Sequence, residues 1–305
     1  MCIAGTARTQ RIVSLLPSTT EILFAIGAGD AVVGVTFECD WPNEAKTRTI
    51  VSTSTLPSGL TPAEIDREVR ERIAAGEDLY RLDEGALRAL DPDVVVTQDL
   101  CAVCAVDVSN VDDALTHLGC HADVVTIDPA TLDEVLQSIV ELGSVTGTSA
   151  TANSLVAALR ARLSAVAEAV AGRPAPRVAV VEWTDPPFAA GHWVPDMIAA
   201  AGGVTAIGTS GQKSVQIGWN DIAAAAPDVV VVSPCGYRLA GAAELATAVL
   251  DRGVLPEGVP VWAVDADTAY VRPGPRLVDG VEALAAVLHP GAVAARPDLA
   301  LRVRA

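Results

Sequence analysis

A chain of 305 residues that is half hydrophobic, only 4% aromatic and formally charged at −17 has the length for about two domains with aliphatic cores. The acidic balance argues against a nucleic-acid or anionic-membrane partner and disfavours a large anionic ligand. No run of eighteen apolar residues occurs, so no helical membrane span is expected.

The opening stretch, MCIAGTARTQRIVSLL, has no charged region followed by an apolar core of the kind that directs secretion, and Cys2 has no export segment ahead of it. As written, it predicts a cytoplasmic protein. Its six cysteines then read as thiols, ligands or redox groups rather than a disulfide framework. Arg11 to Leu16 reads as a buried strand. Ser18 and Glu21, in Pro17-Ser-Thr-Thr-Glu21, have the spacing of a capping box at a helix start. The turn lacks the glycines of a dinucleotide site, and no Walker A pattern occurs. Ser18 and Thr19 either cap the helix or offer hydroxyls and helix N-terminal amides to a ligand.

Ala31 to Thr36 reads as a second strand, which places Cys39, Asp40 and Trp41 at its carboxyl end, the edge where open α/β sheets bind ligands. Thr49 to Ser54 is a third strand. Thr61 to about Ala75 is a helix with Pro62 at its first position, and Asp83 to Leu90 another. Asp93 to Gln98, continuous in β-branched residues, reads as a central strand. It exits into Asp99-Leu100-Cys101-Ala102-Val103-Cys104. This C-x-x-C admits a redox pair, half a metal site, or packed thiols. A closed structural zinc is not indicated, since no second pair and no H-x-x-x-H occur. Val111 to Leu118 reads as a helix, Asp123 to Ile127 as a strand, and Leu132 to Leu142 as a helix. His117 and His121 read as solvated helix-end groups.

Ser149 to Ala171 contains no Pro or Gly and sets Leu155, Leu159, Leu163, Val166 and Val170 on one helical face. Asn153 lies in the first turn, and Gly172 and Pro174 close the far end. At about 1.5 Å per residue the helix is a rod on the order of 35 Å long. We read it as the rigid connector of two α/β lobes with a ligand between them.

Beyond it, Arg177 to Glu182 opens a second set of strands. The loop that follows gathers Trp183, Phe188, His192 and Trp193 in a chain poor in aromatics. Such rings at a strand edge suit a flat or hydrophobic ligand, or else a small core under a long loop. Val194 to Ala201 and Trp219 to Ala226 are helices, and Asp228 to Ser233 is a strand that exits into Pro234-Cys235-Gly236-Tyr237. Glu244 to Leu250 falls in a helix, Val261 to Val264 is a strand, Asp267 to Tyr270 a turn, and Pro275 to Leu288 a final helix. The stretch LDPDVVVTQDLC thus has a partner in AAPDVVVVSPC. Cys39, Cys101, Cys104 and Cys235 all fall at predicted carboxyl edges and would border one cleft if the lobes face each other.

IVSLLPSTTEILFAIGAGDAVVGVT followed by Cys39-Asp40-Trp41-Pro42, with ALDPDVVV, the lone central helix and PDVVVV, resembles the helical-backbone (class III) substrate-binding proteins of cobalamin and siderophore importers. The likeness runs from about Arg11 to His289, and its opening block is most similar to the cobalamin-binding branch. It implies an α/β fold of two Rossmann-like lobes with parallel sheets joined by one long helix, with boundaries at 1–148, 149–172 and 173–305. It implies binding without turnover: no catalytic residue, no metal and no required cofactor, with a cobalamin or related corrinoid as the ligand to expect. Pro17, Ser18, Cys39, Trp41, Asp99, Cys101 and Cys104 would line one side, and Trp183, His192, Trp193, Tyr237 and Tyr270 the other. Family members dock on an ABC permease through a glutamate in each lobe, seven residues before the Pro of the Pro-Asp turn. Those positions hold Gly85 and Asn220 here, beside Glu84 and Asp221. An absent export signal and the C-x-x-C also depart from the importer pattern. Two alternatives stand: a conventional exported importer component for cobalamin or an iron-siderophore, and a metal-handling or thiol-redox protein using Cys39, Cys101, Cys104 and Cys235.

Overall fold

The computed structural model describes residues 10–98 and 122–305. They fall into two compact units: 10–58, 68–98, 122–128 and 139–153 in the first, and 59–67, 129–138 and 154–305 in the second. Asp99, Cys101, Cys104, His117 and His121 lie outside the described residues, as does the helix expected from Val111 to Leu118.

The sheet of the first unit is built from β1 (Ile12–Ser14), β2 (Val32–Thr36), β3 (Thr49–Ser54), β4 (Tyr80–Leu82), β5 (Val94–Thr97) and β6 (Asp123–Thr126), in the order β4-β3-β2-β1-β5-β6. All neighbours are parallel except β3 and β4. Strand β5 is buried throughout, as an uninterrupted run of valines on an interior strand requires. The helices α1 (Pro17–Ala25), α2 (Pro62–Ala75), α3 (Glu84–Leu90), α4 (Leu132–Val145) and α5 (Ser149–Val170) follow in chain order.

The second sheet runs β10 (Val215–Gln216), β8 (Pro187–Ala189), β7 (Arg177–Thr184), β11 (Val229–Val232), β12 (Val261–Val264) and β13 (Ala300–Arg304), with β9 (Val204–Ile207) also on β7. The expectation of parallel sheets is corrected here: β8, β10 and β13 pair antiparallel, so a parallel centre is flanked by antiparallel edges. The remaining helices are α6 (Val194–Ala200), α7 (Trp219–Ala224), α8 (Leu239–Asp251), α9 (Ala266–Ala269) and α10 (Leu277–Leu288). Side chains alternate across the sheet. Val178, Val180 and Val231 pack with Met197, Ile198, Val281 and Leu284, joined by Val166 and Val170 of α5. Ala179, Val181, Val230 and Val232 pack on the opposite face with Ala242, Ala246 and Val249. Arg162 of α5 grips Glu282 of α10 through two hydrogen bonds of 2.8 and 2.7 Å.

The repeated Pro-Asp turns share one physical device. Asp93 accepts the Arg11 backbone N–H at 2.7 Å, and the Arg11 guanidinium donates to the Leu90 carbonyl. In the second unit Asp228 accepts the Arg177 N–H at 2.7 Å, and that guanidinium donates to the Ala225 and Ala226 carbonyls. Each aspartate ties the start of one central strand to the start of its neighbour, and each arginine closes the C-terminal end of the preceding helix.

Two local expectations are overturned. Helix α1 begins at Pro17 with Leu16 as its cap residue and no side-chain cap bond, so Ser18 and Glu21 do not form a capping box. Proline suits the first helical position, because it has no N–H to leave unpaired. Of the stretch Asp267 to Tyr270, expected as a turn, Asp267 to Ala269 belong to the short helix α9 and Tyr270 caps its end, while Asp265 caps its start through the Thr268 N–H at 2.9 Å. Among the described residues no helix is long and apolar enough to cross a membrane.

Candidate functional site

In the first unit the carboxyl ends of β1 and β2 carry a buried chain of hydroxyls. Ser14 Oγ lies 2.7 Å from Thr19 Oγ1 and accepts from Thr20 Oγ1 at 2.8 Å, and Thr20 Oγ1 lies 3.1 Å from Cys39 Sγ. Cys39 is only 4% exposed and belongs to this interior network. Ser18 is buried and Pro17 half-buried at the helix start. Trp41 stands out instead, 48% exposed, with Phe37 at 41%. Trp41, Pro42, Phe24, Glu21, Asp30 and Arg48 line an open groove of about 500 Å³, in which the Arg48 guanidinium lies 5.6 Å from the Phe24 ring centre.

In the second unit Trp183 is half-buried at the end of β7. Its indole N–H is shared between the Asp185 and Pro62 carbonyls, and its ring meets Tyr237 edge-on at 6.1 Å. Tyr237 is half-buried, and burial pushes its phenol up. His192 sits at φ 49°, a left-handed conformation uncommon outside glycine. It is held there by its N–H to the Gln212 carbonyl at 2.6 Å and by the Gly211 N–H on its own carbonyl. Gly191 before it permits this approach, since a Cβ there would lie 2.4 Å from the Gln212 carbonyl oxygen. Burial, then the nearby Lys213 charge, lowers the His192 imidazole.

Trp193 and Tyr270 are corrected from ligand-facing residues to core. Trp193 is 7% exposed and donates its indole N–H to the Tyr270 carbonyl at 2.7 Å. Tyr270 is fully buried, and its hydroxyl donates to the Gly280 carbonyl at 3.1 Å. Both belong to the apolar cluster of α6 and α10, where a ring with its one polar group satisfied is at home. A Cβ at Gly280 would lie 2.2 Å from the Ala269 carbonyl, so this close helix approach demands glycine.

Sequence reasoning passed over Glu182, Ser214 and Ser233. Glu182 lies at the carboxyl end of β7, where Ser214 Oγ and the Gly191 N–H donate to its carboxylate. Burial outweighs both donors, and its carboxyl is pushed up to about 7. The available signal was an acid ending the apolar run RVAVVE. At the docking positions, Gly85 and Asn220 are exposed, as are Glu84 and Asp221. The Asp221 carboxylate accepts the Gly218 N–H at 2.7 Å, so it is engaged in starting its own helix.

Among the described residues no group of three or more His, Cys, Asp or Glu side chains is placed to hold a metal ion. Cys235 is exposed where Cys39 is buried. A maleimide followed by peptide mapping should therefore label Cys235 at least tenfold faster than Cys39, because modification requires access. Equal rates would show that the Cys39 site opens readily.

The family model described as periplasmic binding protein matches residues 12–252. A cobalamin-binding protein of Halobacterium salinarum is 26% identical over 291 residues, which covers 92% of this chain and 69% of that protein. A stretch of 37 residues is 57% identical to an uncharacterized ABC transporter substrate-binding lipoprotein of Bacillus subtilis, covering 12% of either chain. Among solved structures, a periplasmic heme-binding protein of Pseudomonas aeruginosa aligns with a TM-score of 0.68 at 22% identity, over 95% of this chain and 96% of that one. The periplasmic vitamin B12 binding protein of Vibrio cholerae aligns at 0.62 and 22%, over 92% and 96%.

Proposed function

Because the chain belongs to the periplasmic binding protein family, we propose that it binds a corrinoid or a similar large cyclic ligand without turning it over. The observation that carries this reading is the exposed Trp41 at the carboxyl end of β2, beside Phe37 and a groove of about 500 Å³. Large rings left exposed at the ligand edge of a sheet lose hydration cost when a flat apolar face covers them. Trp183 and Tyr237, joined edge to face at the end of β7, offer the same surface in the second unit. The cobalamin-binding relative and the corrinoid-like opening block favour a corrinoid over an iron-siderophore. An ABC permease is the macromolecular partner that family membership supports. Glu84 is the exposed carboxylate beside the first docking position, whereas the second offers the neutral Asn220. A cytoplasmic location would exclude that docking and a periplasmic or lipid-anchored one would allow it, and cell fractionation decides between them.

Calorimetric titration with cyanocobalamin tests the ligand. Trp41→Ala and Trp183→Ala should each weaken binding by roughly 1–3 kcal/mol, while the unfolding midpoint moves little for Trp41→Ala. Wild-type protein that binds no cyanocobalamin and co-purifies with no corrinoid spectrum would overturn the reading. A thiol-linked metal function would instead appear as a stoichiometric metal lost on Cys101→Ser and Cys104→Ser substitution, and a redox function as a thiol count that rises on reduction.

A further inference from the structure

Three polar side chains of the second unit remain outside the aromatic surface: Glu182 and Ser233 at the ends of two neighbouring strands, and His192 one residue beyond the glycine whose N–H donates to Glu182. Strands β7 and β11 are parallel and in register, with Val181 opposite Val232. The Ser233 N–H extends that ladder to the Val181 carbonyl at 2.8 Å. Val181 and Val232 face the α8 side, and Glu182 and Ser233 follow them as neighbours at the ends of the two paired strands. Gly191, whose N–H donates to Glu182, directly precedes His192. The Ser233 hydroxyl and His192 Nε2 are both buried and have no hydrogen-bond partner among the described residues, and Ser233 is only 1% exposed. Buried polar atoms are almost always paired, so two such orphans in the neighbourhood of the half-buried Glu182 carboxyl mark a place where another molecule supplies the partners.

We infer that Glu182, His192 and Ser233 form a polar subsite that takes a neutral hydrogen-bonding group of the ligand, a carboxamide in chemical class, and discriminates against carboxylates. The inference rests on the cyclic-ligand reading for the rest of the ligand. A carboxamide brings one acceptor and two donors. The Ser233 hydroxyl can donate to its oxygen, while neutral His192 and the Glu182 carboxyl can accept from its nitrogen. Burial keeps the imidazole neutral, which leaves one ring nitrogen free to accept. A carboxylate brings acceptors only, and above about pH 7, where Glu182 is ionised, it would set a second negative charge beside it, so the probes are compared at pH 8. Lys213 is the cation whose charge His192 feels. Ser214, which donates to Glu182, holds the carboxyl in place without neutralising it. The selectivity concerns the periphery of a ring: amide-bearing macrocycles are accepted, and those bearing free acids are not.

The test uses the full chain and two pairs of probes. In calorimetry, cyanocobalamin is compared with cyanocobalamin whose peripheral amides have been hydrolysed to acids. The acid form should bind at least about tenfold more weakly, and Ser233→Ala should weaken cyanocobalamin about three- to tenfold. Ser233→Ala should leave the unfolding midpoint of the ligand-free protein unchanged or raised, because no hydrogen bond within the chain is lost; a purely structural serine would lower it. In NMR, propionamide and propionate are titrated against the His192 ring and Glu182 carboxyl signals. Propionamide should shift both saturably, propionate should shift neither, and Ser233→Ala should abolish the effect. Equal response to both fragments, or none to propionamide, overturns the subsite whatever ring the protein binds. Failure of cyanocobalamin to bind alongside a specific propionamide response overturns the corrinoid reading and leaves the subsite standing.

Discussion

Replacing Glu182 by Gln should flatten the dependence of stability on pH between about 4.5 and 7. The folded protein holds this carboxyl up to about 7 from an ordinary value of 4.5, chiefly through burial. Between those two values the folded state therefore binds more protons than the unfolded chain. Stability then falls as pH rises. It is fully present below the unfolded value and lost as pH climbs through the folded one. A displacement of this size corresponds to up to about 3 kcal/mol, most of it spent by pH 8. Glutamine keeps the shape and cannot ionise, so Glu182→Gln should match wild type at pH 5 and exceed it at pH 8 by a large part of that amount. Ser214→Ala should act in the opposite direction. It removes a donor that favours the ionised form, so it should steepen the wild-type loss above neutral pH. Urea unfolding at pH 5 and pH 8 reads all three proteins. Parallel wild-type and Glu182→Gln curves would mean that water reaches the carboxyl freely in the folded state.

What the sequence could state depended on whether a signal was local. The strand of valines after each Pro-Asp turn was legible because fully buried parallel strands need uninterrupted β-branched runs. The long helix was legible because its apolar period needs no knowledge of what it packs against, and it appears as Ser149–Val170. The antiparallel edges were not legible. β8 and β10 are three and two residues long, too short to show alternation, and β13 lies beyond the last element read from the sequence. Arg304 reaches the Pro256 and Val259 carbonyls, a partner some 45 residues away that no window captures. The site was legible by position more than by orientation. Cys39 and Trp41 are two residues apart on one strand exit, yet Cys39 closes a buried hydroxyl chain and Trp41 is 48% exposed on the groove wall. Glu182 was passed over because its importance lies in Ser214 and Gly191, which come from loops a single sequence cannot bring together.

Trp193 shows the same limit, and its replacement should have the largest effect on stability of any aromatic at the sheet edges. By residue type and neighbourhood it is indistinguishable from Trp41: both follow a strand exit and both are rare in this chain. The structure separates them by burial, 7% against 48% exposed. Trp193→Ala removes a ring packed among the buried residues of α6 and α10, and truncating a buried Trp typically costs about 3–5 kcal/mol. It also strands the Tyr270 carbonyl, which accepts the indole N–H at 2.7 Å. An unpaired buried carbonyl adds to the cost. Thermal unfolding followed by circular dichroism should show the midpoint lowered by on the order of 10 °C. Trp193→Phe keeps most of the packing and loses the hydrogen bond, so it should fall between wild type and Trp193→Ala. Trp41→Ala should leave the midpoint within about 2 °C, since an exposed side chain contributes little to folding. Ligand affinity measured at a temperature where every variant is folded should separate the two sites the other way, with Trp41→Ala losing most and both Trp193 variants losing little. A Trp193→Ala protein that melts with wild type and binds ligand poorly would return this residue to the binding surface and remove it from the core.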